Sequence, residues 1–247
     1  MAAPWPEGVD RVVLPETDST SAELARRRPA RPTWLFAWHQ TAARGRRGRA
    51  WAMPPGNFAA SLGYTLADEP ARIALRSFVA ALALHDALAV LGVDDLTLKW
   101  PNDVLFRDGK LAGILLECPE PGRLIVGIGL NLAAAPDMGA IEPGAVPPAA
   151  LAPAGHAIEP EQLLDALAPA YAARETELRV EGFAPIRAGW LARAARLGQT
   201  VTARTMSRTR TGIFEDVDVE GHLILAQRPT RHRIAAADIF FAEAPCS

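Results

Sequence analysis

Cysteine is nearly absent from this chain. Cys118 and Cys246 are the two in 247 residues, and they stand far apart. They offer neither a metal-ligand spacing nor a disulfide framework, which excludes a cysteine-stapled fold and fits a reducing cytoplasm. No GxxxxGK[ST], HExxH or GxSxG motif occurs, so a P-loop, a zincin and a nucleophile-elbow hydrolase are not indicated. No internal repeat of useful length is visible. The opening Met1-Ala2-Ala3-Pro4-Trp5-Pro6 lacks the regions of a signal peptide, and the longest apolar segment is interrupted by Arg76, His85 and Asp86, so no membrane role is expected. Net basicity is missing too. A formal charge of -2 and a pI near 6.2 are unlike a nucleic-acid binder, so any cationic site is local and its anion small. What remains is 49% hydrophobic content, enough for one sizeable core and a small appended domain.

Against that background, the stretch from Thr41 to Trp51 is unusual. Residues 44–49, Arg-Gly-Arg-Arg-Gly-Arg, place four arginines and two glycines in a row, a composition for a loop. Glycine lets backbone N–H groups approach a ligand, and the arginine fork matches carboxylate and phosphate oxygens. A solvated basic turn is the plainer reading. The flanks favour a nucleotide pocket: residues 34–38 read as a buried strand delivering the loop, and Trp51 can stack on a planar base.

In chain order, a strand is expected at 11–14, then a helix from Thr20 toward Arg28, with Thr20 and Glu23 at capping-box spacing. Capping alone accounts for Ser19, Thr20 and Ser21; donors for a polar ligand are the other reading. A strand of small residues at 58–66 leaves room against a sheet. A long apolar helix follows at 71–91, with Arg76 and Asp86 on its wetter side and His85 structural. Residues 98–105 and 110–117 form a hairpin around Asp108-Gly109, with Lys99 at its entrance and Lys110 after the turn. Both lysines abut apolar runs, where an ammonium group faces either solvent or an anion. The strand at 122–132 carries Gly127 and Gly129 on one face, for close packing or for a flat ligand. A Pro/Ala/Gly-rich connection at 136–160 leads to helices at 161–180, bent at Pro169, and 185–197. Five short strands, at 200–203, 209–217, 222–225, 231–234 and 238–241, then mark a small barrel or sandwich beyond Leu197.

Asp18-Ser19-Thr20-Ser21, the run from His39 to Arg49, Lys99-Trp100-Pro101-Asn102-Asp103, the run from Lys110 to Glu117, and Gly127-Ile128-Gly129-Leu130-Asn131 occur in one order and spacing. Together they resemble a bacterial-type biotin protein ligase, from Val12 to about Leu132. The resemblance implies an α+β fold: a catalytic domain over 1–197, with a central mixed sheet and helices packed on one side, then an SH3-like barrel over 198–247. It implies biotin and ATP as substrates, with Mg2+, forming biotinyl-AMP. A lysine of a biotin carboxyl carrier protein, of acetyl-CoA carboxylase or a related carboxylase, then takes the biotin. By position, Ser19, Thr20, Ser21 and Gln40 contact biotin, and Gly113, Leu115, Gly127 and Gly129 line its slot. Arg44, Gly45 and Arg46 close over carboxylate and phosphate, with Lys110 and Lys99 as phosphate contacts. Arg46, Lys110 and Lys99 are thus the catalytic set, while Arg49, Trp51, Asn102 and Asn131 sit near the nucleotide.

Two departures stand out. Ala43 takes the place of a usual glycine, where a positive φ would be strained, and Ser21 replaces a frequent asparagine. A lipoate or octanoate ligase shares the fold, but the hydroxyls and Gln40 favour a ureido head group. A DNA-binding regulator needs a module of roughly sixty residues ahead of the motifs, and Ser19 comes too early for one; neither nucleic acid nor membrane is expected as a partner. A biotin store is the remaining alternative, against which the lysines and Trp51 argue. Monomer and homodimer are both left open.

Overall fold

A computed structural model describes residues 3–137 and 144–241. Cys246 and part of the 136–160 connection lie outside the described residues. Strands β1 (Asp10–Thr17), β2 (Thr33–Gln40), β3 (Phe58–Thr65), β4 (Leu96–Lys99), β5 (Asp103–Phe106), β6 (Gly109–Glu120) and β7 (Arg123–Leu130) form one sheet, ordered β1-β2-β3-β7-β6-β5-β4. The β1/β2 pair is parallel and the other pairs are antiparallel, so the sheet is mixed.

Strand alternation sorts this sheet into two unlike faces. Trp34, Phe36, Ala60, Leu62, Tyr64, Leu124, Val126 and Ile128 all join the main core. There the sheet packs against α3 (Arg76–Val90) and α4 (Pro160–Glu181). On the opposite face, α1 (Thr20–Arg27) sets Leu24 on Leu35 and Ile125 as a small second core. The expected placement of all helices on one side is therefore corrected: α1 caps the far face at one end and leaves the rest open. That open part carries a row read straight across the strands by pairing, Ala59, Gly129, Gly113, Asp103 and Lys99.

The helix expected at 71–91 divides at Leu75 into α2 (Pro70–Ala74) and α3. The stretch Pro70–Val90 is apolar and long enough to span a membrane by composition, but 67% of its most apolar window is buried inside the fold, as befits a core helix. Arg76 is the correction here. It is 2% exposed rather than on a wet side, because its guanidinium meets Asp68 at 2.6 Å and Glu175 at 2.8 Å. A buried arginine is tolerable only when paired in this way. Beside it, the Tyr64 and Tyr171 hydroxyls lie 3.0 Å apart.

After α4 comes α5 (Phe183–Leu191), shorter than the predicted helix at 185–197. It stops because the following backbone turns to β4: Leu98 N–H donates to the Arg193 carbonyl, and Ala195 N–H to the Leu98 carbonyl. All five expected C-terminal strands form, as β8 (Thr200–Arg204), β9 (Thr209–Val217), β10 (Leu223–Gln227), β11 (Thr230–Ile234) and β12 (Asp238–Phe241). Their antiparallel sheet, ordered β11-β10-β9-β8-β12, fits an SH3-like unit. Its apolar residues, among them Val201, Phe214 and Leu223, join the same main core. Trp100 Nε1 donates to the Gly221 carbonyl at 3.0 Å, tying the two sheets together.

Candidate functional site

The open sheet face, the arginine loop and β12 enclose a cavity of about 620 Å³. Every residue singled out from the sequence as a site candidate lines it. Its floor is bare backbone for a reason: a Cβ on Gly127 would sit 2.8 Å from Ser21 Oγ, and one on Gly129 would sit 2.6 Å from Trp51 Nε1. Gly113 is nearly as tight, at 3.1 Å from Trp51 Cζ3. The Trp51 ring therefore lies directly on Gly129 and Gly113, where the strands have no side chains, and presents its other surface to the cavity.

One end of the cavity is a knot of small polar groups. Thr20 Oγ1 lies 2.7 Å from Ser61 Oγ, and Ser21 Oγ lies 3.0 Å from the same atom. Gln40 Oε1 accepts from the Thr20 N–H at 2.7 Å and its hydroxyl at 3.1 Å. The helix cap is Ser19, whose hydroxyl accepts from the Ala22 N–H. Thr20 is thus not the cap expected from the capping-box spacing; its hydroxyl is released to the cavity, and Glu23 pairs with Arg26 and Arg27 instead. Hydroxyls that both donate and accept suit a neutral head group with N–H and C=O edges. Ser61, fully buried, stands behind the cavity wall and holds the Thr20 and Ser21 hydroxyls in place; in the sequence it is one hydroxyl in a strand of small residues.

The other end is cationic and built around Asp103, a carboxylate to which the Lys99–Asp103 motif by itself assigns no role. Asp103, 7% exposed, holds Lys110 Nζ at 2.8 Å and Lys99 Nζ at 3.5 Å. Burial alone would raise its carboxyl; the two ammonium groups outweigh that and hold it below the usual carboxylate range. Burial pushes the Lys99 ammonium down, with Asp103 opposing. It also pushes the Arg46 guanidinium down, with Asp238 opposing. Arg46 Nη1 donates to Asn102 Oδ1 at 3.3 Å, and Asn102 Nδ2 to the Ile114 carbonyl at 2.6 Å. Asn131 Nδ2 donates to the carbonyls of Ala149 at 3.0 Å and Lys110 at 3.5 Å, bracketing the Lys110 backbone from the cavity's edge.

Over this end the arginine loop closes on itself. Gly45 N–H donates to the Arg49 carbonyl and Trp51 N–H to the Ala43 carbonyl, around a single 3-10 turn at Arg46–Gly48. The positive φ expected to strain Ala43 is not there; Arg47 (φ 57°) and Gly48 (φ 72°) carry it, and Ala43 is buried. Arg47 and Arg49 both reach Asp238 of β12, at 2.7 and 3.0 Å. Nothing in the sequence pairs a loop at 44–49 with a strand at 238–241. Residues 237–240 nevertheless form part of the cavity wall. Among the described residues no cluster of three or more His, Cys, Asp or Glu could hold a metal ion. The site thus offers a flat slot, a neutral polar end, and an end with three cations around one carboxylate.

Residues 13–131 match the model of the biotin/lipoate A/B protein ligase family. The chain is 50% identical over 238 residues to a biotin–[acetyl-CoA-carboxylase] ligase of Paracoccus denitrificans, covering 93% of this chain and 99% of that one. It is 30% identical over 232 residues to the bifunctional ligase/repressor BirA of Bacillus subtilis (strain 168), covering 92% of this chain and 71% of BirA. In fold it is similar to a biotin protein ligase of Aquifex aeolicus solved with biotin and ATP, with a TM-score of 0.80, 23% identity, and 93% and 97% of the two chains covered.

Proposed function

The chain belongs to the biotin/lipoate A/B protein ligase family, and from that premise we infer how its cavity works as the active site of an ATP-dependent biotin protein ligase. Biotin is activated as biotinyl-5'-AMP with release of pyrophosphate, and a carrier protein's lysine then takes the biotinyl group. The observation that carries the reading is a single cavity with Trp51 seated on Gly113 and Gly129, set between a hydroxyl–amide end and a cationic end. The bicyclic ring of biotin lies along the slot beside Trp51, its ureido edge toward Thr20, Ser21 and Gln40. Its carboxylate points to Lys110 and Arg46.

Activation brings a carboxylate against an α-phosphate, so the protein supplies positive charge and alignment rather than a nucleophile. Lys110, Lys99 and Arg46 supply that charge before the substrates arrive. Trp51 and the Asn102–Arg46 pair face the nucleotide. Magnesium enters with the ATP phosphates as part of the substrate. The mixed anhydride is sensitive to water, and the arginine loop, held over the cavity by its own hydrogen bonds and by Asp238, excludes it. Residues 1–197 form the catalytic unit and 198–247 the SH3-like unit that lends Asp238 to it. The acceptor is the lysine of a biotin carboxyl carrier domain in the cytoplasm; the chain's mild negative charge argues against nucleic acid as a partner.

Pyrophosphate–ATP exchange, run with biotin, with lipoate and with no acid, tests the reading. Exchange is expected with biotin and magnesium together and at background with lipoate. Equal exchange with lipoate would overturn the substrate.

A further inference from the structure

Lys99 and Lys110 are the only lysines in the chain; every other member of its 26 Lys and Arg residues is arginine. Both lysines line the cavity. An acyl-adenylate reacts with neutral amines, and a guanidinium, which stays protonated, is no substitute. Outside the cavity, therefore, no side-chain amine can be acylated by escaping intermediate. Inside it, two amines stand beside the place where the intermediate is formed, at the high effective concentration of an intramolecular pair.

We propose that Asp103 keeps both lysines as ammonium ions, so that the acyl group passes only to an incoming partner's amine and never to the enzyme itself. This rests on the reading of the cavity as the place where biotinyl-AMP is made. Asp103 spans the two, one oxygen 2.8 Å from Lys110 Nζ and the other 3.5 Å from Lys99 Nζ. Among the described residues, the other groups around them are Arg46, which also faces Asp103; Asp238 and the Phe241 ring near Lys99; the Trp51 ring near Lys110; and the two ammonium groups themselves. Asp103 is the carboxylate ion-paired with both. Without its charge three cations, Lys99, Lys110 and Arg46, would share an enclosed space with the single phosphate of the adenylate. Lys99, with 11% of its side chain exposed against 34% for Lys110, is the more enclosed of the two amines and the one that gives up its proton. Its neutral nitrogen would attack the anhydride carbonyl carbon. The carbon–oxygen bond to phosphate breaks, AMP leaves, the amine proton passes to water, and a biotinyl amide remains on Lys99. Asp103 is in this sense a positioning residue: it decides which amine is available, by fixing where two protons sit.

The test supplies chemically prepared biotinyl-AMP to the purified chain and locates biotin by peptide mass spectrometry, with a lysine peptide as bystander. The parent is expected to leave Lys99 and Lys110 unmodified while the bystander is labelled. Asp103→Asn is expected to become biotinylated at Lys99, faster by about tenfold for each pKa unit the lysine loses. Asp103→Glu, which keeps the charge, is expected to restore silence. Labelling of either lysine in the parent, or a folded Asp103→Asn that stays unlabelled, overturns the proposal. Should Asp103→Asn not fold by circular dichroism, a biotin N-hydroxysuccinimide ester is applied to the parent, native and in urea. Native protection at Lys99, eroding as the pH rises from neutral to alkaline, supports Asp103; equal labelling of native and unfolded chain overturns it. The ester needs no adenylate recognition, so these arms stand even where biotin and ATP give no exchange.

Discussion

Lys110 shows how one side chain depends on its surroundings. Its ammonium is held by Asp103 at 2.8 Å and lies 5.7 Å from the Trp51 ring centroid, a placement fixed by the β5/β6 pairing that brings Asp103 opposite Gly113. Lys110→Ala removes one of three cations facing the carboxylate and phosphate and leaves Asp103 with Lys99 alone. Truncating a buried charge partner costs about 2–5 kcal/mol, so adenylate formation is expected to fall on the order of a hundredfold or more. Single-turnover synthesis of biotinyl-AMP measures this. A parental rate in the variant would remove Lys110 from the catalytic set. Loss of rate with unchanged biotin binding would place its contribution in the transition state.

At the scale of elements, the arginine loop is what a latch on β12 makes of a flexible stretch. Its internal bonds form only a narrow bridge, Arg44 against Ala50, and Asp238 adds two ion pairs from a strand nearly two hundred residues away. Half-exposed pairs of this kind contribute about 0.5 kcal/mol each, so Asp238→Asn is expected to raise the open population of the loop about fivefold. Trypsin cleavage at Arg47 and Arg49 reports that opening. It should quicken by a similar factor, and biotin with a non-hydrolysable ATP analogue should suppress it in both proteins. Unchanged cleavage would mean that the loop's own hydrogen bonds suffice. What the sequence made legible here follows the same division. The loop, the glycines and both lysines were readable because their composition is odd locally. Asp103, Ser61 and Asp238 were not, because their roles arise from pairing across strands. Arg76 was misread as a wet position because its partners, Asp68 and Glu175, lie on other elements. The helix over 185–197 was overextended because the edge of β4 competes for its backbone.

At the scale of the whole molecule, the described residues of both sheets share one core beside the cavity. Phe214 and Leu223 share the main core with Phe78 and Trp190, and the Trp190 and Phe214 rings lie 6.4 Å apart. Gly221 brings its backbone so close to Phe78 that a Cβ would meet that ring at 2.9 Å. A main core this continuous, with Trp100 hydrogen-bonded across it, joins the two sheets through one apolar interior, so unfolding should be a single transition. Hydrogen exchange tests this at both ends: amides of β3 and β7 on one side, and of β9 and β10 on the other, are expected to share one limiting free energy of opening. Trp190→Ala should lower both sets together by about 3–5 kcal/mol, the usual cost of deleting a buried tryptophan. If β9 and β10 opened first and the variant affected them alone, the C-terminal sheet would be an independent unit. Asp238 would then lose its fixed place over the arginine loop each time that unit came away.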